Sequence, residues 1–171
     1  MLKVSLITIS YNSSKTIYNT LKSVEKQSYK NVEHIIVDGR STDNTLKICY
    51  SFPHIDKIIS EPDEGVYDAF NKGIESAKGD IIGFLNSDDI YYEEDSLNYI
   101  VKNFDRETDC VFGNLQYVNL KGEIVRNWNS RNFRKGDFKK AWMPAHPTFY
   151  CRKYIYEKYG AYNPKYKIAG D

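Results

Sequence analysis

"DIIGFLNSDD", residues 80–89, joins a buried strand to two adjacent carboxylates. Ile81, Ile82, Gly83, Phe84 and Leu85 form a short apolar run of the kind that fills the middle of a parallel sheet. Asn86, Ser87, Asp88 and Asp89 follow with no basic residue among them. Neighbouring carboxylates repel each other and lose hydration, so their presence at a strand end asks for something to hold.

Working outward, the same arrangement recurs. "KVSLITIS" (3–10), "VEHIIVD" (32–38) and "IDKIIS" (55–60) read as strands. Helical patterns lie between them. In "NSSKTIYNTLKSVEKQ", Ile17, Leu21 and Val24 share one face, and Ser13 or Ser14 is placed to cap it. "STDNTLKICY", "VYDAFNKGIESAK" (with Gly79 as a stop) and "EDSLNYIVKNF" supply three more helices. Alternating strands and helices with short links predict βαβ units and a mostly parallel, right-handed sheet. After residue 109 the pattern changes. "CVFGNLQYVNLKGEIVRNW" predicts two strands joined by a Lys121-Gly122 turn, and "RKYIYEKYG" a short helix ended by Gly160.

The chain has 171 residues, enough for one domain with a proper core. Its 15 tyrosines are not the composition of a disordered chain. No apolar run approaches the roughly 20 residues that cross a bilayer. The N-terminus reads as a first strand, not as a signal peptide. Cys49, Cys110 and Cys151 are odd in number, widely spaced and free of CxxC pairing. That pattern argues against a disulfide framework or a zinc site, fits a reducing compartment, and reads as three ordinary semi-buried thiols. The net charge of +1 hides an asymmetry: residues 1–120 hold 12 Lys and Arg against 19 Asp and Glu, and residues 121–171 hold 12 against 4. An acidic half favours cations and a basic half favours anions; an unevenly charged solvated surface is the plainer alternative.

In open α/β sheets ligands sit beyond the carboxyl ends of the strands. There the sequence places Ser10, Tyr11 and Asn12; Asp38, Gly39, Arg40 and Ser41; Glu61, Pro62, Asp63, Glu64 and Gly65; and Asn86 to Asp89. There is no GxGxxG after the first strand and no GxxxxGK[ST], which removes a dehydrogenase-type dinucleotide site and a P-loop. An acidic edge without a phosphate-binding loop needs a cation to face a phosphate. Asp88 and Asp89 offer the hard oxygens that Mg²⁺ or Mn²⁺ prefers, and such an ion offsets charge on a departing diphosphate. Helix capping is the structural alternative for the pair.

Four blocks then carry a resemblance. "VSLITISYNSSKTIYNTLKSVEKQSYKNVEHIIVDGRSTDNT" resembles the start of the family-2 glycosyltransferases. "SEPDEGVYDAFNKGI" is similar to the family's "D.G.YDA.NKGI" block, "GFLNSDDIY" to its DXD-type metal motif, and "YKIAGD" to its "aGD" end. The resemblance runs in order from residue 3 to residue 171. It implies a GT-A fold: an α/β, Rossmann-like, mostly parallel sheet flanked by helices, with a mixed α+β C-terminal half. It implies one domain over 1–171, with 1–109 the nucleotide-sugar-binding half and 110–171 an acceptor-side half cut short at its C-terminus.

The resemblance also assigns residues. Ser10, Tyr11 and Asn12 would line the nucleotide, and Asp38 would accept a hydrogen bond from the base. Asp63, Asp68, Asn71 and Asn86 would contact the nucleotide-sugar. Lys72 also falls where the family contacts the nucleotide-sugar; Asp68 has a structural alternative in the first turn of its helix, and Lys72 one as a plain solvated lysine. Asp88, then Asp89, would hold Mn²⁺ or Mg²⁺; Asn86 stands where the family's first Asp is frequent. His146, in "MPAHPTFYCRK", would contact metal, diphosphate or acceptor, or else serve structure. Asp171 would be the catalytic base of an inverting transfer from a nucleotide-sugar, UDP by resemblance, to an acceptor hydroxyl. A saccharide or lipid-linked acceptor, a role in bacterial polysaccharide or glycolipid synthesis, and a cytoplasmic protein peripheral to the membrane complete the expectation. Arg131, Arg134, Lys135, Lys139 and Lys140, mixed with Phe133, Phe138 and Trp142, suit an anionic membrane surface; the acidic half argues against nucleic acid. The alternatives are a non-catalytic nucleotide-sugar-binding module, a nucleotidyltransferase, for which "TISYNSS" lacks a basic pyrophosphate loop, and a receiver-like phosphoacceptor module.

Overall fold

The computed structural model describes residues 1–119 and 121–166. Among the described residues eight strands form: β1 (Val4–Ser10), β2 (Val32–Asp38), β3 (Ile55–Ser60), β4 (Ile81–Phe84), β5 (Cys110–Val111), β6 (Leu115–Val118), β7 (Ile124–Trp128) and β8 (Tyr150–Arg152). The α-helices among the described residues are α1 (Ile17–Glu25), α2 (Thr45–Cys49), α3 (Val66–Ser76), α4 (Ser96–Lys102) and α5 (Lys153–Tyr159). The main sheet runs β3-β2-β1-β4-β8-β5. β1 to β4 are parallel, while β8 lies antiparallel between β4 and β5. β6 and β7 make a separate hairpin, turned at Gly122 with φ +80°.

Period two explains the layers. Ile7, Ile35, Val37, Ile82 and Phe84 face one side, where they pack with Tyr67, Ala69, Phe70 and Ile74 of α3 and with Tyr156 of α5. Val4, Leu6, Ile36 and Ile81 face the other side, among Ile17, Leu21 and Val24 of α1, Cys49 of α2 and Leu97 of α4. Strands covered on both faces are largely apolar, which is why they read as runs and not as strict alternations.

α1 begins later than its sequence suggests. Its N-cap is Thr16, with no side-chain capping bond, and neither Ser13 nor Ser14 caps it. Ser13 instead turns the chain, its carbonyl accepting from the N–H groups of Thr16 and Ile17. The mixed half is not a separate layer: β5 and β8 extend the main sheet, while the β6–β7 hairpin lies outside it.

Gly83 shows how tightly β8 joins. It pairs with Tyr150, and a Cβ there would lie 2.0 Å from the Tyr150 ring. The ring folds across the bare backbone and its hydroxyl meets that of Tyr91 at 2.5 Å.

Candidate functional site

Strand order reverses at β1. From it the chain proceeds to β2 and β3 on one side and to β4 on the other, so a crevice opens between the carboxyl ends of β1 and β4. A cleft of about 340 Å³ lies there, lined by Ile9, Ser10, Tyr11, Ser13, Asp63, Val66, Ala69, Asn86, Ser87 and Asp88. That volume sits in the range of small-molecule sites. Tyr11 is 67% exposed at its rim. Ser87 Oγ donates to Ser13 Oγ at 2.8 Å, stitching the β4 end to the β1 end across the floor.

Three loop ends converge on one buried carboxylate. Asp38 is 0% exposed. Its Oδ1 accepts from Ser10 Oγ at 3.1 Å and from Ser41 Oγ, and its Oδ2 from Ser41 N at 2.8 Å and Ser60 Oγ at 2.9 Å. The side chain is therefore turned inward and occupied. Asn12, at φ +50°, uses the left-handed conformation that Asn tolerates. Its N–H donates to Ser41 Oγ at 2.8 Å, and its Oδ1 accepts from Thr42 N at 2.9 Å. Gly39 lets the next loop close in, since a Cβ there would meet Asp63 Oδ2 at 2.7 Å.

Asp68 and Lys72 fasten the 61–65 loop. Asp68 Oδ2 accepts from Glu64 N at 3.0 Å, and that bond holds its carboxyl below the usual range. Lys72 Nζ reaches Asp68 at 3.1 Å, Glu61 at 3.2 Å and the Pro62 carbonyl at 2.7 Å, so it is a loop tie and not a loose surface cation. Asn71 is engaged by the chain downstream: its Nδ2 donates to Tyr162 O at 2.8 Å, and its Oδ1 accepts from Tyr162 N at 2.9 Å. His146 lies against the end of β4, its ring 5.1 Å from Phe70 and 5.8 Å from Phe84. Asp171 falls outside the described residues.

At the acidic strand end, Asp88 is exposed and Asp89 half-buried. Burial, then the neighbouring Asp88 charge, pushes the Asp89 carboxyl up to about 6. Asn86 Oδ1 is buried and accepts no hydrogen bond among the described residues. These oxygens fit a hard divalent cation in kind. Among the described residues no three His, Cys, Asp or Glu side chains gather as a cage, so water and ligand oxygens would complete the shell, as Mg²⁺ allows.

Residues 5–162 match the sequence profile of Glycosyl transferase family 2. The chain belongs to glycosyl transferase family 2. Among its relatives is a PGL/p-HBAD biosynthesis glycosyltransferase of Mycobacterium bovis, 31% identical over 98% of this chain and 66% of that protein. An uncharacterized glycosyltransferase of Mycobacterium tuberculosis is 33% identical over 98% of this chain and 65% of its own length. The chain thus spans just under two thirds of these relatives. In structure it is similar to S. aureus TarS 1–349 in complex with UDP, with a TM-score of 0.77 and 23% identity over 99% of this chain and 52% of that one. It is also similar to a mannosyltransferase from Pyrobaculum calidifontis in complex with GDP-Man and Mn²⁺, with a TM-score of 0.74 and 20% identity over 95% and 48%. The fold is GT-A, as the family resemblance implies.

Some of this family-2 site is silent in sequence. Ile9, Ser13, Val66 and Ala69 line the cleft without standing out as site residues in sequence, whereas Asp63 and Ser87 lie in the strand-end loops that the sequence singles out. No helix among the described residues is long and apolar enough to cross a membrane.

Proposed function

We propose that the protein moves a glycosyl group from a nucleoside-diphosphate sugar to an acceptor hydroxyl, with inversion at the anomeric carbon, in bacterial glycan synthesis. The observation that carries this reading is the cleft at the β1/β4 switch point, with Tyr11 on one wall and Asn86 and Asp88 on the other. Tyr11 offers an exposed ring for the base. Ser10, Asn12 and Asp38 act on the nucleotide by fixing the loops that face it, with Asp38 working through Ser41 from beneath. Asp63 reaches the donor from the opposite loop, which Asp68 holds. Asn71 supports the acceptor side through Tyr162.

Asn86, Asp88 and Asp89 would hold Mn²⁺ or Mg²⁺, which when bound supplies positive charge beside the departing diphosphate. His146, packed against Phe70 and Phe84, is the proposed contact to metal, diphosphate or acceptor. Asp171 is the proposed base, taking the proton from the acceptor hydroxyl. Residues 110–171 form the acceptor side of a single domain.

The acceptor is a saccharide or a lipid-linked one at an anionic membrane surface, with the protein on its cytoplasmic face. Phe133, Phe138 and Trp142 touch at 5.3–5.8 Å, and Phe138 is 66% exposed. Arg131 belongs to this cluster's frame: it lies 5.3 Å over the Trp142 ring and pairs with Asp137 at 2.7 Å. Arg134, Lys135, Lys139 and Lys140 are left for phosphates.

The test is a donor screen. UDP-, GDP- and dTDP-sugars are titrated with and without Mn²⁺ or Mg²⁺, and both binding and sugar release are followed. One donor class binding with metal assistance and being consumed supports the reading; binding without consumption makes the protein a nucleotide-sugar-binding module. Co-sedimentation with anionic vesicles at low salt, weakened in Phe138→Ala, tests the membrane face.

A further inference from the structure

The cysteines are not three independent thiols. Cys110 of β5 and Cys151 of β8 are direct cross-strand partners, and their sulfur atoms lie 3.0 Å apart. The Arg152 N–H donates to the Asp109 carbonyl at 2.9 Å, flanking the pair without joining it. That pattern marks a non-hydrogen-bonded antiparallel position, where Cα atoms approach to about 4.5 Å and side chains are closest. Such a spacing lies inside the roughly 4.4–6.8 Å that a disulfide spans.

The location matters as much as the contact. The two cysteines are 41 residues apart. Between them lies the whole excursion from the main sheet: the β6–β7 hairpin and the aromatic, basic cluster around Trp142. The chain leaves the sheet after Val111 and re-enters it at Tyr150, so the sulfurs sit at the neck of this lobe.

We propose that Cys110 and Cys151 form a reversible intramolecular disulfide that closes the neck of the 112–149 lobe. The co-reactant is a small disulfide of the glutathione class. Cys110, half-buried where Cys151 is buried, is the sulfur such a molecule reaches first. Its thiol is also held below the usual range by the Cys151 thiol beside it, whereas Cys151 is raised, by the contact with Cys110 and by burial. The Cys110 thiolate attacks one sulfur of the small disulfide, forming a mixed disulfide and expelling one thiolate. Cys151 then attacks the Cys110 sulfur, expels the second thiolate and closes the bond. The two cysteine protons end on the two released thiols; the protein pair is oxidised and the small disulfide reduced. Cys49 takes no part: it is buried in the core beneath α1, and burial pushes its thiol up to about 12.

The folded, full chain is incubated with oxidised glutathione, alkylated, digested and mapped by mass. The expected product has lost about 2 Da, as two thiols becoming one disulfide requires, and carries a 110–151 cross-linked peptide, with Cys49 alkylated only after unfolding. Its thermal midpoint is several degrees higher than that of the reduced form, and proteolysis within 112–149 is slower, because the crosslink restricts the unfolded lobe. Dithiothreitol reverses both changes. Cys110→Ala shows neither change and no adduct on Cys151. Both thiols still open to alkylation after oxidant, a glutathione adduct persisting on Cys110 of the wild type, or a crosslink that leaves midpoint and proteolysis unchanged would each overturn the proposal. Mapping the wild type gives an answer even where a variant folds poorly.

Discussion

Asn71 and Tyr162 exchange two hydrogen bonds, side-chain amide to backbone carbonyl at 2.8 Å and backbone amide to side-chain carbonyl at 2.9 Å. A primary amide fits a peptide unit in this way because it carries donor and acceptor side by side. The clasp ties helix α3, which borders the cleft, to a segment 91 residues later.

Asn71→Ala should therefore act first on structure. It removes both bonds, a loss of about 1–2 kcal/mol where water replaces part of each. Chemical denaturation should show the lower midpoint, and hydrogen exchange at the Tyr162 amide should speed up. An unchanged midpoint together with a large loss of donor affinity would instead make Asn71 a direct donor contact.

Asp38→Asn tests the buried hub. Every contact that Asp38 makes is as an acceptor, and Asn would turn an NH₂ toward donors from Ser10, Ser41 and Ser60. Hydroxyls can rotate away, but the Ser41 N–H cannot, so a cost of roughly 2–3 kcal/mol is expected. Urea denaturation measures it, and calorimetry should show UDP and uridine weakened alike, since the loop near the base is what shifts.

Asp88→Asn should spare the fold, because Asp88 is exposed at its loop tip. The extra UDP affinity conferred by Mn²⁺ should fall by roughly tenfold or more, while metal-free affinity stays. Titration calorimetry with and without the ion separates the two. Equal metal enhancement in both proteins would remove Asp88 from the cation site.

His34 gives the protein a defined acid weakness. It is buried in β2, its Nε2 lies 3.0 Å from Thr8 Oγ1, and its ring stacks on His54 at 5.3 Å. Burial, then His54, holds its imidazole down at about 3. The unfolded chain takes up that proton below about 6.5 and the folded chain does not, so stability is whole above pH 6.5 and falls by up to about 1.4 kcal/mol per pH unit below it. His34→Gln lacks the titration. Urea midpoints at pH 7.5 and pH 5 should converge between wild type and variant as the pH drops; parallel losses would show that His34 is not the cause.

The parallel half is legible because its central strands are rich in buried Ile and Val, and the readings at 32–38 and 55–60 coincide with β2 and β3. The acidic loop is legible because two carboxylates with no cation are conspicuous. Asp38 reads as a ligand contact, yet its partners are the hydroxyls of residues 10, 41 and 60 and the Ser41 N–H, which no local pattern joins. Asn71 is opaque for another reason: its partner is a backbone, which carries no residue signature. β5 and β8 have only two and three residues, too few for periodicity to reveal that Cys110 faces Cys151.

The Asp38 hub has a consequence in time. The ends of β1 and β3 and the turn after β2 meet on one shielded carboxylate, so their ordering entropy is incurred when the chain folds and not when a nucleotide arrives. A ligand meets a floor that does not have to be gathered around it. Capture is then governed by diffusion and orientation, and related nucleotides should differ chiefly in how long they stay.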